Sequence, residues 1–377
     1  MTKRSKLQVG VMFGGRSGEH EVSLMSARSV LAALDPQKYD VTEIGIQHDG
    51  SWLIGENVLN LLDEAAADHL MPAVLLPDPN RQGLYRIRTT SVTGEALEKV
   101  TDLDVIFPVL HGTFGEDGTI QGLFETNGVA YVGSGVVGSA VGMDKGVFKD
   151  VMKAQGIPVV ESLVILRREL EKDTDSVLDQ IEKLVPERPY PVFVKPANLG
   201  SSVGISKCTS RADLIEGLID AARFDRRLVV ERGVNAREIE VSVLGNDDPE
   251  ASIAGEVIPS REFYSYEAKY IDDRSELLIP APIPDEIAGR IRELAIHAYK
   301  SIDCAGMARV DFLLDKDTGE VFLSEINTLP GFTKISMYPK LWEASGLSYP
   351  GLVDRLIELA LERKADRDRI EHKFQRE

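Results

Sequence analysis

The sequence predicts an α/β portion with a parallel sheet at the N-terminus, followed by α+β portions built on antiparallel strands. Three observations predict it. Apolar runs of strand length alternate with helical spacings as far as residue 128. From residue 235 the strands follow one another directly. At 377 residues the chain is long enough for two or three domains.

Taken in order, "LQVGVMF" (7–13) reads as a buried strand, closed by the Gly-rich turn "GGRSGE". Val22, Met25, Val30, Leu31 and Leu34 then fall near helical spacing. "YDVTEIGI" (39–46) is a second strand, and residues 55–100 show no assignable pattern. "DLDVIFPVLHG" (102–112) is a third strand, followed by the helix "GEDGTIQGLFETNG", which Gly128 closes. "GVVGSAVG" (135–142) reads as a joint. Gly156 stops the next helix, "MDKGVFKDVMKAQ", with Pro158 just beyond. "SLVILRR" is a strand, and "DSVLDQIEKLV" sets Val177, Leu178, Ile181, Leu184 and Val185 on one helical face. Strands at 191–195 and 204–208 flank the loop "ANLGSSVG"; Ser210 caps "RADLIEGLIDAARF", and 226–234 is again a strand. "REIEVSVLG" and "ASIAGEVIPS" read as antiparallel strands, and 261–282, with no regular period, as a long functional loop. An amphipathic helix, "DEIAGRIRELAIHAYKSI", precedes the hairpin "GMARVDFLLDKDTGEVFLSEIN". The last helix, "PGLVDRLIELALER", is apolar at Leu352, Val353, Leu356, Ile357 and Ala360.

A formal charge of −18 argues against nucleic acid and anionic membranes as partners, because phosphate surfaces need a basic face. Small anionic substrates stay compatible with a local positive pocket. Cys208 and Cys304 stand in no metal-ligand spacing and read as two buried thiols of a reduced, cytoplasmic protein. The apolar run at the N-terminus is too short and interrupted for a signal peptide, and no later run approaches a membrane span.

The hairpin carries the strongest constellation. Arg309 and Asp311 share one face of their strand, as do Glu325 and Asn327 on the next. A three-residue turn, Asp317-Thr318-Gly319, pairs Lys316 with Glu320, and so sets Asp311 opposite Glu325 and Arg309 opposite Asn327. A four-residue turn would break that register. Two facing carboxylates and an amide suit a hard cation such as Mg²⁺; a salt bridge of these acids to Arg309 on a solvated face is the alternative. The apolar flanks "FLLD" and "VFLS" favour the cation, since buried carboxylates need one. Lys195 ends a strand beside the loop in which Gly200 and Gly204 bracket Ser201 and Ser202. Lys145 opens a helix, where its charge opposes the dipole unless an anion lies nearby. Together these groups imply a nucleoside triphosphate. Near the N-terminus Glu19 and Glu21 open a helix, and Glu19 and His111 end up at strand ends of one sheet, where ligands of parallel sheets bind.

In order along the chain, "FGGRSGEHEVS", "VLHGTFGEDGTIQG", "MDK", "VKPANLGSSVG", "YEAKY", "GMARVDF" and "EINTLPGFTKISMYP" resemble the D-alanine–D-alanine ligases of the ATP-grasp superfamily. The resemblance spans about residues 7 to 363. It implies an ATP-grasp fold of three domains: residues 1–133 with the first D-alanine site, a central part at 134–230, and a catalytic part at 231–377. It implies that Lys145 and Lys195 bind phosphates, that Ser202 lies in a lid over them, that Glu231 and Val234 read adenine, and that Glu238 binds ribose. Asp311, Glu325 and Asn327 match ligands of Mg²⁺ or Mn²⁺, with two ions per site. Arg309 and the Gly331 N–H match stabilisers of the reacting centre. Glu19, Ser201 and Tyr270 match a hydrogen-bonded trio that closes the site, with Glu19 anchoring the first ammonium beside Val22 and His111. Ser336, Lys269 and Met337 match the grip on the second D-alanine, and Lys269 also falls at the nucleotide.

The implied reaction forms D-alanyl-D-alanine through a D-alanyl phosphate, for peptidoglycan precursors, in a cytoplasmic homodimer. Leu199 and Arg232 depart from the family's usual polar lid residue and lysine, bearing on lid mobility and nucleotide affinity. A D-alanine–D-lactate or other dipeptide ligase is the neighbouring alternative, opposed by "YEAKY" and the N-terminal motifs. A non-catalytic ATP-binding regulator is opposed by Arg309, and a dehydrogenase by the missing glycines of "GGRSG".

Overall fold

The computed structural model describes residues 6–90, 94–184, 190–200, 203–258 and 276–371, and three sheets organise them. The first contains β1 (Leu7–Gly14), β2 (Tyr39–Ile46), β3 (Trp52–Ile54), β4 (Met71–Leu75), β5 (Leu84–Thr90), β6 (Gly94–Thr101), β7 (Val105–Val109) and β8 (Ala130–Tyr131). Their order is β6-β5-β4-β3-β2-β1-β7-β8, with β2, β1, β7 and β8 parallel as expected. Helix α1 (His20–Ala33) covers one face through Leu24, Ala27 and Val30 against Val9, Val11 and Phe13. Phe124 of α3 (Thr119–Asn127) covers the other, against Met12 and Ile44. The third strand is shorter than its apolar run, which leaves His111 in the loop beyond it.

Residues 55–100 are not irregular. They form α2 (Val58–Asp63) and the antiparallel strands β4, β5 and β6, which extend the sheet. The pattern was faint because β6 has no buried face. Its register rests instead on cross-strand charge, with Glu98 opposite Arg86 and 2.8 Å from its Nη2.

The expected joint at 135–142 is a helix, α4 (Val136–Met143). Its glycines mark close approach rather than a break. A Cβ on Gly138 would lie 3.0 Å from the Asp303 carbonyl oxygen and 3.2 Å from Cys304 Cα. Helix α5 (Lys145–Ala154) follows, capped by Asp144, which accepts from the backbone N–H groups of Gly146 and Val147.

The second sheet is antiparallel, in the order β11-β10-β12-β9: β9 (Ser162–Leu166), β10 (Val192–Pro196), β11 (Ser206–Cys208) and β12 (Arg227–Arg232). One face, with Val192, Val194, Leu228 and Val230, packs on α6 (Arg167–Lys172), α7 (Thr174–Glu182) and α8 (Arg211–Phe224). Strand alternation therefore turns Lys195 and Glu231 to the opposite face.

The third sheet, in the order β15-β14-β13-β16-β17, contains β13 (Ala236–Gly245), β14 (Glu250–Ile258), β15 (Glu276–Leu278), β16 (Gly306–Asp315) and β17 (Val321–Asn327). Ile239, Val241, Val310 and Phe312 pack on α9 (Asp285–Ser301) and on Phe148 and Met152 of α5. Helices α10 (Met337–Ala344) and α11 (Tyr349–Arg367) complete the chain. Leu352, Val353, Leu356 and Ile357 of α11 are buried in one core with Val9, Val105 and Phe107 of the first sheet and Met307 of the third. Each such side chain contributes about 1.5–3 kcal/mol. No helix of the described residues is long and apolar enough to cross a membrane, and Cys208 and Cys304 are free and buried.

Replacing Gly138 by Ala should lower stability by about 1–3 kcal/mol, because the added methyl would meet Ser134 Oγ and the backbone of the Asp303–Cys304 turn. Denaturant unfolding with an unchanged m-value would measure it.

Candidate active site

The loops at the carboxyl ends of β1 and β7 are stitched together. Ser17 Oγ donates to the His111 carbonyl at 2.8 Å and accepts from the Glu19 N–H at 3.0 Å. Glu19 is buried, and a Cβ on Gly112 would meet its Oε2. Glu19 and His111 thus lie together beyond the carboxyl ends of β1 and β7. His111 Nε2 lies 3.1 Å from Ser26 Oγ, and Nδ1 lies 3.1 Å from the Leu329 carbonyl. Burial opposes a charge on His111, but Glu116, 3.7 Å away, and then Glu19 hold its pKa above the ordinary value. Ser26 Oγ also accepts from the Phe332 N–H at 3.3 Å. The "LPGF" loop is therefore fixed to the first sheet. Within it a Cβ on Gly331 would lie 2.9 Å from Ser336 Oγ, which bonds Thr333 N and Oγ1 at 3.0 and 2.8 Å. Met337 is buried with Val257 and Leu341, and Val22 is buried on α1.

The start of α5 is tied to the loop after β10. Lys145 donates its backbone N–H to Ala197 O and its Nζ to Leu199 O, both at 2.8 Å. At Gly200 the same loop reaches Glu19, whose Oε2 would lie 3.0 Å from an added Cβ. Ser201, Ser202, Lys269 and Tyr270 lie outside the described residues.

Behind this loop, Lys195 Nζ lies 2.8 Å from Glu231 Oε2, while Lys149 Nζ lies 3.2 Å from Glu231 Oε1. Burial alone would raise the Glu231 pKa, but the two ammoniums bring it down to about 2. Lys195 is also attracted by Glu325 and Glu238 of the third sheet, so the two antiparallel sheets present charge to one another. Val234 follows in the partly buried turn after β12. Arg232 pairs with Glu161 at 2.7 Å and lies over the Phe322 ring.

On the third sheet the expected register is present: Asp311 pairs with Glu325 and Arg309 with Asn327. The turn, however, has four residues, since Asp315 N bonds Glu320 O and Gly319 N bonds Asp315 O. A β-bulge at Ser324 restores the pairing, because Phe312 opposes Leu323 while Asp311 opposes Glu325. The bulge also switches faces: Val321 and Leu323 point into the core before it, and Ile326 after it. Glu325 and Asn327 therefore share the side of Asp311 and Arg309. Arg309 grips Asp311 through Nε at 2.8 Å and Nη2 at 2.7 Å, and Asn327 Nδ2 donates to Asp311 at 3.0 Å. Glu240, opposite Asp311 on β13, lies 3.0 Å from Arg309 Nε. Burial disfavours the guanidinium charge, but Asp311 and Glu240 outweigh it and raise its pKa.

Two family descriptions match the chain: "D-ala D-ala ligase N-terminus" over residues 8–134 and "D-ala D-ala ligase C-terminus" over residues 151–358. The chain belongs to the D-alanine–D-alanine ligase family. A D-alanine–D-alanine ligase of Heliobacterium modesticaldum is 51% identical over 97% of both chains, and one of Natranaerobius thermophilus is 48% identical over 97% of both. The Coxiella burnetii D-alanine-D-alanine ligase structure is similar at TM-score 0.80 and 35% identity, covering 97% of this chain and 96% of that one. The VanG D-Ala:D-Ser ligase of Enterococcus faecalis is similar at 0.82 and 33%, covering 94% and 99%. Family membership and these neighbours bear out the expected ATP-grasp fold.

Sequence reasoning missed Lys149 and Glu240. Lys149 lies one turn after Lys145 on α5, and Glu240 two residues after Glu238 on β13, so periodicity alone could have found both. His20, Glu21 and His48 also bring donor atoms together, but the imidazoles stack at 3.9 Å and 25°.

The Glu231 pKa is lowered on folding from 4.5 to about 2, so it contributes stability above pH 4.5 that is lost as pH falls towards 2. Thermal unfolding along this acid limb should be less steep in Glu231→Gln than in the parent protein.

Proposed function

We infer that the chain is an ATP-dependent D-alanine–D-alanine ligase, and that the residues above divide its chemistry. The observation that carries the reading is the Arg309, Asp311, Glu325 and Asn327 row, in register on the third sheet and facing Lys195. The three domains are 1–133, 134–230 and 231–377, with the last two residues of β12 crossing the second join.

Lys145 and Lys195 hold the phosphates of ATP, Glu231 and Val234 the adenine, and Glu238 the ribose. Ser202 and Lys269 complete the nucleotide site. The carboxylate of the first D-alanine attacks the γ-phosphorus, whose bond to the bridging oxygen breaks to release ADP. The D-alanyl phosphate then meets the amine of the second D-alanine. A C–N bond forms, the C–O bond to phosphate breaks, and the nitrogen loses a proton. Arg309, held by Asp311 and Glu240, has its charge fixed before the reaction and stabilises phosphoryl oxygens and the tetrahedral oxyanion without reorganising. The Gly331 N–H supplies a second donor. Glu19 anchors the first ammonium beside His111 and Val22; Ser201 and Tyr270 link it to closure, which keeps water from the acyl phosphate. Ser336, Lys269 and Met337 hold the second D-alanine.

Asp311, Glu325 and Asn327 form an all-oxygen donor set in one partly buried row, which fits Mg²⁺ or Mn²⁺, one ion or two. Such ions would offset charge on the transferred phosphoryl group. A cytoplasmic homodimer is the assembly we propose.

Incubation with ATP, Mg²⁺ and D-alanine, with D-lactate and D-serine in parallel, tests the reading by phosphate release and product mass. D-alanyl-D-alanine should dominate. A dominant depsipeptide or D-alanyl-D-serine would overturn the specificity, and no product from any pair would overturn the enzyme. Arg309→Ala should lower kcat by about 10²–10³-fold. ADP affinity, measured calorimetrically, should stay within about threefold, because the loss lies in the transition state.

A further inference from the structure

Lys149 is the buried charge to which no role above is given. Its side chain is 2% exposed, and Nζ makes no hydrogen bond of good geometry among the described residues. Its ion-pair partner is Glu231, 6% exposed, which Lys195 already engages through the other carboxylate oxygen. In direct contact, one carboxylate meets two ammoniums where little water reaches, and the further acids Glu325 and Glu238 act on Lys195 and not on Lys149. Burial of such a charge is costly unless an anion completes it. Burial lowers the Lys149 pKa, with Lys195 and Lys153 acting the same way and Glu231 offsetting part of it, so the ammonium depends on Glu231 for its charge.

The two lysines are not equivalent. Lys195 is the more exposed, at 17%, and is drawn by Glu325 and Glu238 as well as by Glu231. Lys149 has Glu231 as its acidic neighbour and sits on α5, whose first residue is pinned to Ala197. One ammonium is placed to move and the other to stay. We propose that Lys149 is a positioning residue for nucleotide binding: it supplies the counter-charge that holds Glu231 in place when Lys195 is drawn onto a nucleotide phosphate. In the nucleotide-free cluster Glu231 is shared between the two ammoniums in direct contact with it. The bound cluster gives Lys149 to Glu231 and Lys195 to phosphate, so every charge is matched. The proposal rests on the assignment of Lys195 to ATP phosphates.

The test is calorimetric titration with MgADP, together with thermal unfolding of the nucleotide-free protein. It compares the parent, Lys149→Met, Lys149→Arg, Glu231→Gln and the Lys149→Met/Glu231→Gln double variant. Lys149→Met should raise the ADP Kd at least about tenfold while the nucleotide-free melting point holds, because Lys195 still neutralises Glu231. Lys149→Arg should restore most of the affinity. In the Glu231→Gln background the Lys149→Met penalty should shrink to within about twofold. A lowered melting point with unchanged Kd would make Lys149 merely structural and overturn the proposal. An equal Kd penalty in both backgrounds would also overturn it, since Lys149 would then act without Glu231. Should Lys149→Met not fold, Lys149→Gln carries the same comparison. A parent protein that fails to bind MgADP would bring down the ligase reading itself, and the proposal with it.

Discussion

The burial of α11 between the first and third sheets is the constraint on which the site depends. On the proposed reading Glu19 and Arg309, far apart in sequence, serve one reaction centre, which needs both held to a fraction of an ångström. Leu352, Val353, Leu356 and Ile357 place one helix in a core common to β1, β7 and β16. Polar contacts then fix its angle. Asp354 accepts from Lys38 and Tyr39, and Arg363 lies over Tyr131 while pairing with Glu125. The first and third sheets thus form a single frame. The second sheet meets that frame through α5, the bridge between Val159 and Leu323, and the loop that runs from Lys145 to Glu19.

Within the frame, the acid row depends on one extra residue. Side chains alternate along a strand, so an unbroken β17 would send Glu325 and Asn327 into the same core as Val321 and Leu323. Ser324 shifts the phase once, and both polar groups emerge beside Asp311. The bulge also explains how the acids are tolerated. They sit on the face where Arg309 compensates them, while the apolar half of the same strand secures the sheet.

Much of the fold was legible because burial imposed a pattern. β1 and β2 announce themselves by continuous apolar runs, α11 by its apolar spacing, and α8 by a serine that accepts from the Asp213 N–H. Where burial imposed no pattern, the sequence was silent. β6 is exposed along both faces and paired through charge, and α4 uses glycine for contact where glycine usually signals a turn. The pairing of Asp311 with Glu325 was read correctly through two errors that cancel, a turn one residue too short and a bulge left out. The bulge was nonetheless written in "VFLSEIN", whose apolar phase changes between Leu323 and Ile326. Lys149 was passed over because a lysine is rarely placed inside a core. Its spacing of one turn from Lys145 was the signal that could have exposed it, and Glu231 facing it gives that spacing a reason.

The chain's formal charge of −18 would, on a uniform surface, repel a nucleotide. The fold answers by separating exposed charge from buried charge. The acidic excess lies largely in solvent, where salt and water screen it. Lys149, Lys195 and Arg309 are instead largely buried, where a charge acts through a lower dielectric than at the surface. Carboxylates anchored to strands hold the Lys195 and Arg309 charges, Glu231 for the lysine and Asp311 with Glu240 for the arginine, while Glu231 only partly offsets the burial that works against the Lys149 charge. The acids are therefore part of how the cleft stays positive. Removing one leaves the local charge more positive, yet the cation beside it less well placed and easier to discharge. On the proposed reading, anion recognition depends on position more than on the sum of charges, and position is set by the two antiparallel sheets that present charge to one another.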